Sequence, residues 1–140
     1  MLGDVNDSWT VSDAWLLAAI ALTGGAKTLA KVIGTADAID HNVCTEVEFC
    51  RSVGRLIAAG LIAADPYQDR YRPTTDGAAI PKHWRKGMFT WAAAITPQLE
   101  RLSQPHDASW SLPEGAYDQA VSCYRASVSR KFRSLSSQAG

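Results

Sequence analysis

The chain has 140 residues, 46% of them hydrophobic and 20% charged, and its 14 basic and 14 acidic side chains cancel to a formal net charge of zero. That length suits a single domain with a substantial hydrophobic core, and the balanced charge leaves no global electrostatic pull toward nucleic acid or membrane. Three cysteines are an odd number for a disulfide framework, so free thiols in a reducing cytoplasm are the simpler expectation.

The charge is unevenly placed. Residues 1–80 hold 6 Lys/Arg against 10 Asp/Glu, and residues 81–140 hold 8 against 4. The N-terminal stretch carries Asp4 and Asp7 with no basic segment, so no signal peptide is expected there. The longest apolar run, Ala14 to Leu22, falls well short of the roughly 20 residues of a membrane span. A cytoplasmic protein without membrane association is the expectation.

Met1 to Trp9 is polar. Thr10 or Ser12 caps a first helix, and Asp13 suits the positive end of its dipole. The run from Ala14 to Leu22 is apolar on nearly every side, which marks either the central helix of the core or part of a subunit interface. Thr23-Gly24-Gly25 ends it. A second helix is predicted from Ala26 to Ile39 or Asp40. Leu29, Val32, Ile33, Ala36 and Ile39 repeat at helical spacing, with Lys27, Lys31, Asp37 and Asp40 on the outer side. Gly34 within it costs up to ~1 kcal/mol relative to alanine, which close approach by another helix would explain. His41-Asn42-Val43-Cys44 is a turn.

Thr45 opens the third helix. Its spacing to Glu48 is that of a capping box, in which each side chain satisfies the other residue's amide. Val47, Phe49, Val53, Leu56 and Ile57 form the predicted buried stripe, with Arg51, Ser52 and Arg55 mostly opposite. Gly60 and Leu61 are placed for a Schellman stop. Leu61-Ile62-Ala63 then reads as a strand, Asp65-Pro66-Tyr67-Gln68-Asp69 as a turn, and Arg70-Tyr71-Arg72 as a half-buried strand. Pro73 suits a sheet edge, and Thr74 or Thr75 caps the next helical turn.

Three helices, a third one closing on Leu56-Ile57-Ala58-Ala59-Gly60-Leu61-Ile62, a hairpin, and Tyr71-Arg72-Pro73-Thr74-Thr75-Asp76-Gly77 together resemble a winged helix-turn-helix domain. The phrase is similar to the end of the recognition helix and the wing in bacterial regulators of the MarR and PadR type. The resemblance covers residues 13–80. It implies a DNA-binding regulator whose third helix enters the major groove while the wing touches the backbone. Arg51, Ser52 and Arg55 then become the candidate base and phosphate contacts, with Arg70 and Arg72 on the backbone. Glu46 and Glu48 oppose that role, because they direct carboxylates toward phosphates. Asp65 and Asp69 offset the wing arginines.

Residues 81–140 lie beyond the resemblance. Lys82-His83-Trp84-Arg85-Lys86 is a basic cluster around an aromatic ring, with packing of Trp84 favoured over stacking on nucleic acid. Phe89 to Leu102 is predicted helical, with Pro97 as a kink or a new start. Ser103 to Pro113 is a linker-like loop in which Trp110 and Leu112 are candidates to dock on the core. A last helix is expected from Glu114 to Ser134, with Tyr117, Val121, Tyr124, Val128, Phe132 and Leu135 on one face.

Other chemistries find little footing. His41, Cys44 and Cys50 lack the tight spacing of common zinc sites. Gly24-Gly25-Ala26-Lys27-Thr28 lacks the first glycine and the preceding strand of a phosphate loop. No nucleophile–base signature is present, so neither an enzyme nor a metal or cofactor is expected. The combined expectation is a mainly α fold with a small β-hairpin. In it a winged helix-turn-helix core over residues 10–80 carries a C-terminal helical extension over 81–140. DNA is the expected partner, in a homodimer formed through the first and last helices. The rival is a winged-helix protein–protein module that does not bind DNA.

Overall fold

The apolar run after Thr10 dictates the centre of the molecule. In the computed structural model, helix α1 spans Val11–Ala21. Thr10 and Asp13 form a capping box at its start. Ala14, Leu16, Leu17, Ala18, Ala19 and Ile20 are wholly buried, and α1 packs against α2 (Leu29–Asp40), α3 (Glu46–Ala58) and α5 (Trp91–Leu102). Of the two roles expected for this helix, the central core position is the one it holds. Large apolar side chains of this segment are exposed only at its two ends, Val11 and Leu22. The structure describes residues 8–22, 25–83, 91–102 and 104–139, with side chains outside 82–93 and 132–139.

Helix α2 begins three residues later than its periodicity predicts. Lys27 is held in an antiparallel bridge to Tyr71, with amide–carbonyl hydrogen bonds of 2.8 Å in both directions, so the backbone is extended there and Thr28 becomes the cap. Lys27 was placed on the outer side and is in fact buried. Its ammonium donates to the Ile20 carbonyl at 2.8 Å, at the C-terminal end of α1 where a cation is favourable.

Helix α3 starts on the Thr45–Glu48 capping box. It ends with Gly60 at φ +76°, the Gly60 amide donating to the Ile57 carbonyl and the Leu61 amide to the Leu56 carbonyl, which is the Schellman pattern. Strands β1 (Ile62–Asp65) and β2 (Arg70–Pro73) pair antiparallel with Ile62 opposite Pro73 and Asp65 opposite Arg70. Asp69 in the hairpin turn accepts from the Leu29 amide at 2.7 Å, so the hairpin caps the start of α2.

A five-residue helix α4 (Thr75–Ala79) and a 3-10 turn (Ile80–His83) follow the hairpin. Pro97 lies inside α5. Helix α6 runs from Ala116 to Ala139 and packs on α2. A Cβ added at Gly34 of α2 would lie 2.9 Å from the Tyr124 ring of α6, so this glycine admits the neighbouring helix as expected. The basic cluster around Trp84 lies outside the described residues. No helix among the described residues is long and apolar enough to cross a membrane.

Candidate functional site

The five candidate contact residues fall into two sets. Arg70 and Arg72 are exposed on β2, with Tyr71 wholly buried between them, as a strand with one wet face requires. They border an open concavity of ≈ 660 Å³ that Ala63, Ala64, Asp65 and Gln68 also line. Arg51 is exposed on α3.

Ser52 and Arg55 are different, and the expectation that they lie on the open side of α3 is corrected. They are 2% and 1% exposed. The Ser52 hydroxyl donates to Asp13 Oδ1 at 2.6 Å. The Arg55 guanidinium donates from Nη1 to Asp13 Oδ2 at 3.2 Å and to the Ser8 carbonyl at 2.9 Å, and from Nε to Asp107 Oδ1 at 2.7 Å. Asp13 Oδ2 also accepts from the Thr10 amide at 2.9 Å. One carboxylate thus caps α1, binds α3 through Ser52 and neutralises Arg55. Removing an arginine and a carboxylate from water is tolerable only with such complete pairing. Burial alone would lower the Arg55 pKa. The hydrogen bond that Arg55 donates to Asp107 and the charges of Asp13 and Asp107 outweigh it and hold Arg55 above its ordinary value.

Asp107 belongs to the loop between α5 and α6, and the sequence reading did not single it out. That loop lies directly along α3. A Cβ added at Gly54 would sit 2.4 Å from the Ala108 carbonyl oxygen, so helix and loop backbones meet where glycine leaves room. Pro105 is buried. Trp110 docks in an aromatic cluster, its ring centroid 6.0 Å from Phe49 and 6.2 Å from Tyr71, which places it in the core role considered for it. Asp107 itself is 68% exposed, and Arg51 Nε stands 3.7 Å from its bound oxygen. The cluster of Arg51, Arg55, Asp13 and Asp107 is electrically balanced.

The solvent side of α3 is therefore set by its first two turns. Glu46, Val47, Glu48 and Arg51 are exposed. Val47, expected in the buried stripe, is 78% exposed. On the hairpin the two acids are committed locally. Asp65 accepts from the Tyr67 and Gln68 amides, and Asp69 caps α2. Across α3 and the hairpin, Glu46, Glu48, Asp65 and Asp69 stand against the accessible Arg51, Arg70 and Arg72.

Other reactive groups are tied into the packing. The Tyr117 hydroxyl donates to the Cys44 carbonyl and lies 3.3 Å from the Cys44 sulfur. Burial, chiefly, pushes the Cys44 thiol up. Among the described residues no group of three or more His, Cys, Asp or Glu side chains is arranged to hold a metal ion. Comparison with protein-family models, with curated proteins and with solved structures finds no match to this chain.

Proposed function

We propose that residues 10–80 form a winged helix-turn-helix core and that the chain is a non-catalytic module whose partner is another protein. The core reading is supported by the order of three helices and a hairpin. It is supported further by the Lys27–Tyr71 bridge, which adds a third strand position between the first two helices. In that architecture α3 is the helix that would read a major groove.

One observation carries the protein-partner reading: Arg55 is paired with Asp13 at 1% exposure on both sides. With Ser52 also inside, the first two turns of α3 present Glu46, Glu48 and an exposed Val47 ahead of Arg51. Phosphates are repelled by such a tip, whereas a basic segment with an apolar side chain complements it. The test is a mobility-shift titration of the full chain against mixed-sequence duplex DNA at low and high salt. No salt-sensitive shift is expected at micromolar protein, and a clear one overturns this reading. Cross-linking in a nuclease-treated lysate should give a partner band that Glu46→Lys with Glu48→Lys abolishes.

A second reading, the DNA-binding regulator, is favoured by the exposure of Arg51, Arg70 and Arg72. These side chains would hold phosphates, each contact steepening the salt dependence of binding. Self-association, if it accompanies either reading, would fall to α6, whose 24 residues are twice the 12 of the α2 helix it packs on.

A further inference from the structure

We infer that the outer edge of β1 takes an extended peptide as an added strand, with a carboxylate of that peptide held by Arg72. This rests on the reading of the chain as a protein-binding module, and it uses a surface other than the tip of α3.

The register leaves one row of β1 backbone groups unused. Tyr71 turns both its amide and its carbonyl to Lys27, away from β1, and it stands opposite Ala64. Opposed residues of an antiparallel ladder either exchange both bonds or turn both sets of groups apart. The Ala64 amide and carbonyl therefore face outward. The Thr74 amide donates to the Leu61 carbonyl at 3.0 Å, which puts Leu61, Ala63 and Asp65 in the bonded positions and Ile62, like Ala64, in the outward ones. β1 is the edge of its sheet, and among the described residues no hydrogen bond reaches the Ala64 backbone from that side. Natural edges are commonly closed to further pairing by a charge, a proline or a bulge. Ile62-Ala63-Ala64 carries none of these, and Asp65 and Pro66 come only at its end.

The outer face of the hairpin says what the peptide carries. Arg72 stands opposite Ala63 and Arg70 opposite Asp65. Both arginines are exposed, and neither forms an ion pair among the described residues. An added strand lies about 4.8 Å beyond β1, and so about 9.6 Å from β2. Only the Ala63 methyl stands between it and Arg72, and a long arginine side chain spans that row. The open concavity of ≈ 660 Å³ bordered by Ala63, Ala64, Arg70 and Arg72 gives it room. A carboxylate beside Ala63 completes Arg72, whereas Asp65 repels a second one at the next position on the same face. A second copy of this chain fits less well, because pairing β1 with its own copy joins two faces that each carry two arginines against one acid.

The probe is a capped, fluorescein-labelled peptide, Thr-Val-Glu-Val-Thr-Val, titrated with the full chain by fluorescence anisotropy. Saturable binding is expected. It should weaken at least about fivefold when the peptide amides that pair with β1 are N-methylated, and as much when Glu is replaced by Lys. Ala64→Pro, which removes an outward amide and no ladder bond, and Arg72→Ala should each weaken it similarly, with thermal unfolding establishing that both are folded. In hydrogen exchange read by NMR, the peptide should protect the Ala64 amide of the wild type. No binding by the wild type, equal binding of the N-methylated peptide, or unchanged Ala64 exchange overturns the added strand. Displacement of the peptide by mixed-sequence duplex DNA would assign the face to nucleic acid and overturn it too. So would a dimer in sedimentation that Ala64→Pro dissolves, since a second copy then holds the edge. If Ala64→Pro does not fold, the N-methylated peptide on the wild type decides. The lysate cross-linking test reads the tip of α3 and this titration reads the edge of β1, so the two readings fail separately.

Discussion

Arg55 on α3 and Asp13 on α1 meet at 3.2 Å with each side chain 1% exposed. This contact fixes the crossing of the two helices at the centre of the fold, and Ser52 shares it. Breaking a buried pair by deleting one partner leaves an uncompensated charge, which costs about 3–5 kcal/mol. Arg55→Ala is therefore expected to lose that much in a urea unfolding experiment, and Asp13→Ala a similar amount. The double variant should lose less than the two combined, because the orphaned charge is gone. Arg51→Ala, at an exposed position, should stay within about 0.5 kcal/mol of wild type. Arg55→Ala staying that close as well would show that the pair does not form in solution.

The Asp107–Arg55 contact has a defined acid limit. The hydrogen bond from Arg55 is the main cause holding the Asp107 carboxyl below its ordinary value. Slight burial opposes it, and the Arg55 and Arg51 charges add to it. A carboxyl with a depressed folded pKa stabilises the folded state above its unfolded pKa, near 3.9. That contribution is lost as pH falls from there through the lower folded value. The stability that this ion pair adds, read by urea unfolding, should be constant at neutral pH and decline in this acid window. Other carboxylates titrate there too, so the difference between wild type and Asp107→Asn is the measurement. Identical acid profiles for the two proteins would show that Asp107 plays no part.

What the sequence made legible was local. The Thr45–Glu48 box and the Gly60 stop each need only a few adjacent residues, so both ends of α3 could be read directly. The alternation of Arg70, Tyr71 and Arg72 is equally short-range and places the same side chains in and out as the structure does. Ser52 and Arg55 were misplaced because their burial depends on Asp13 and Asp107, which stand 42 and 52 residues from Arg55. A polar row on a helix reads as solvent-facing until a buried partner is known. A partial signal was present. Phe49, Ser52 and Arg55 recur every third residue beside the apolar stripe, and Asp13 sits in a cap followed by a helix with no polar face. Val47 failed for the complementary reason. Its spacing fits the stripe, but among the described residues nothing covers the first turn of α3.

Two glycines separate backbone from side-chain crowding. A Cβ at Gly77 would lie 1.8 Å from the Leu61 carbonyl oxygen, and neither α4 nor the start of β1 can yield without losing the Thr74 cap and its neighbours. Gly77→Ala should cost about 1–3 kcal/mol or more as an overpacked site. A Cβ at Gly34 meets only the Tyr124 ring at 2.9 Å, which can turn aside. Alanine also gains up to ~1 kcal/mol of helix propensity there. Gly34→Ala should fall within about 1 kcal/mol of wild type in thermal unfolding. The reverse order of the two costs would show that α6 docks on α2 more rigidly than the hairpin docks on α4.

The three thiols grade the packing of α3 and α6. Cys123 is exposed on α6, Cys50 is half-buried on α3 and Cys44 is buried beneath Tyr117. Burial raises the Cys44 thiol, with the Glu48 charge adding to it and the Tyr117 hydrogen bond opposing it. Burial first and then the Glu46 charge raise Cys50. The reactive species is the thiolate, which burial disfavours at Cys44 and Cys50, and accessibility falls from Cys123 through Cys50 to Cys44. Alkylation at mildly alkaline pH, followed by mass spectrometry, should modify Cys123 first, Cys50 next and Cys44 last. Asp107→Asn should leave the Cys44 rate low, because Tyr117 on α6 guards that thiol. Tyr117→Phe should raise the Cys44 rate and leave Cys123 unchanged. Cys44 reacting as fast as Cys123 in the wild type would mean that the start of α6 is not seated on the core.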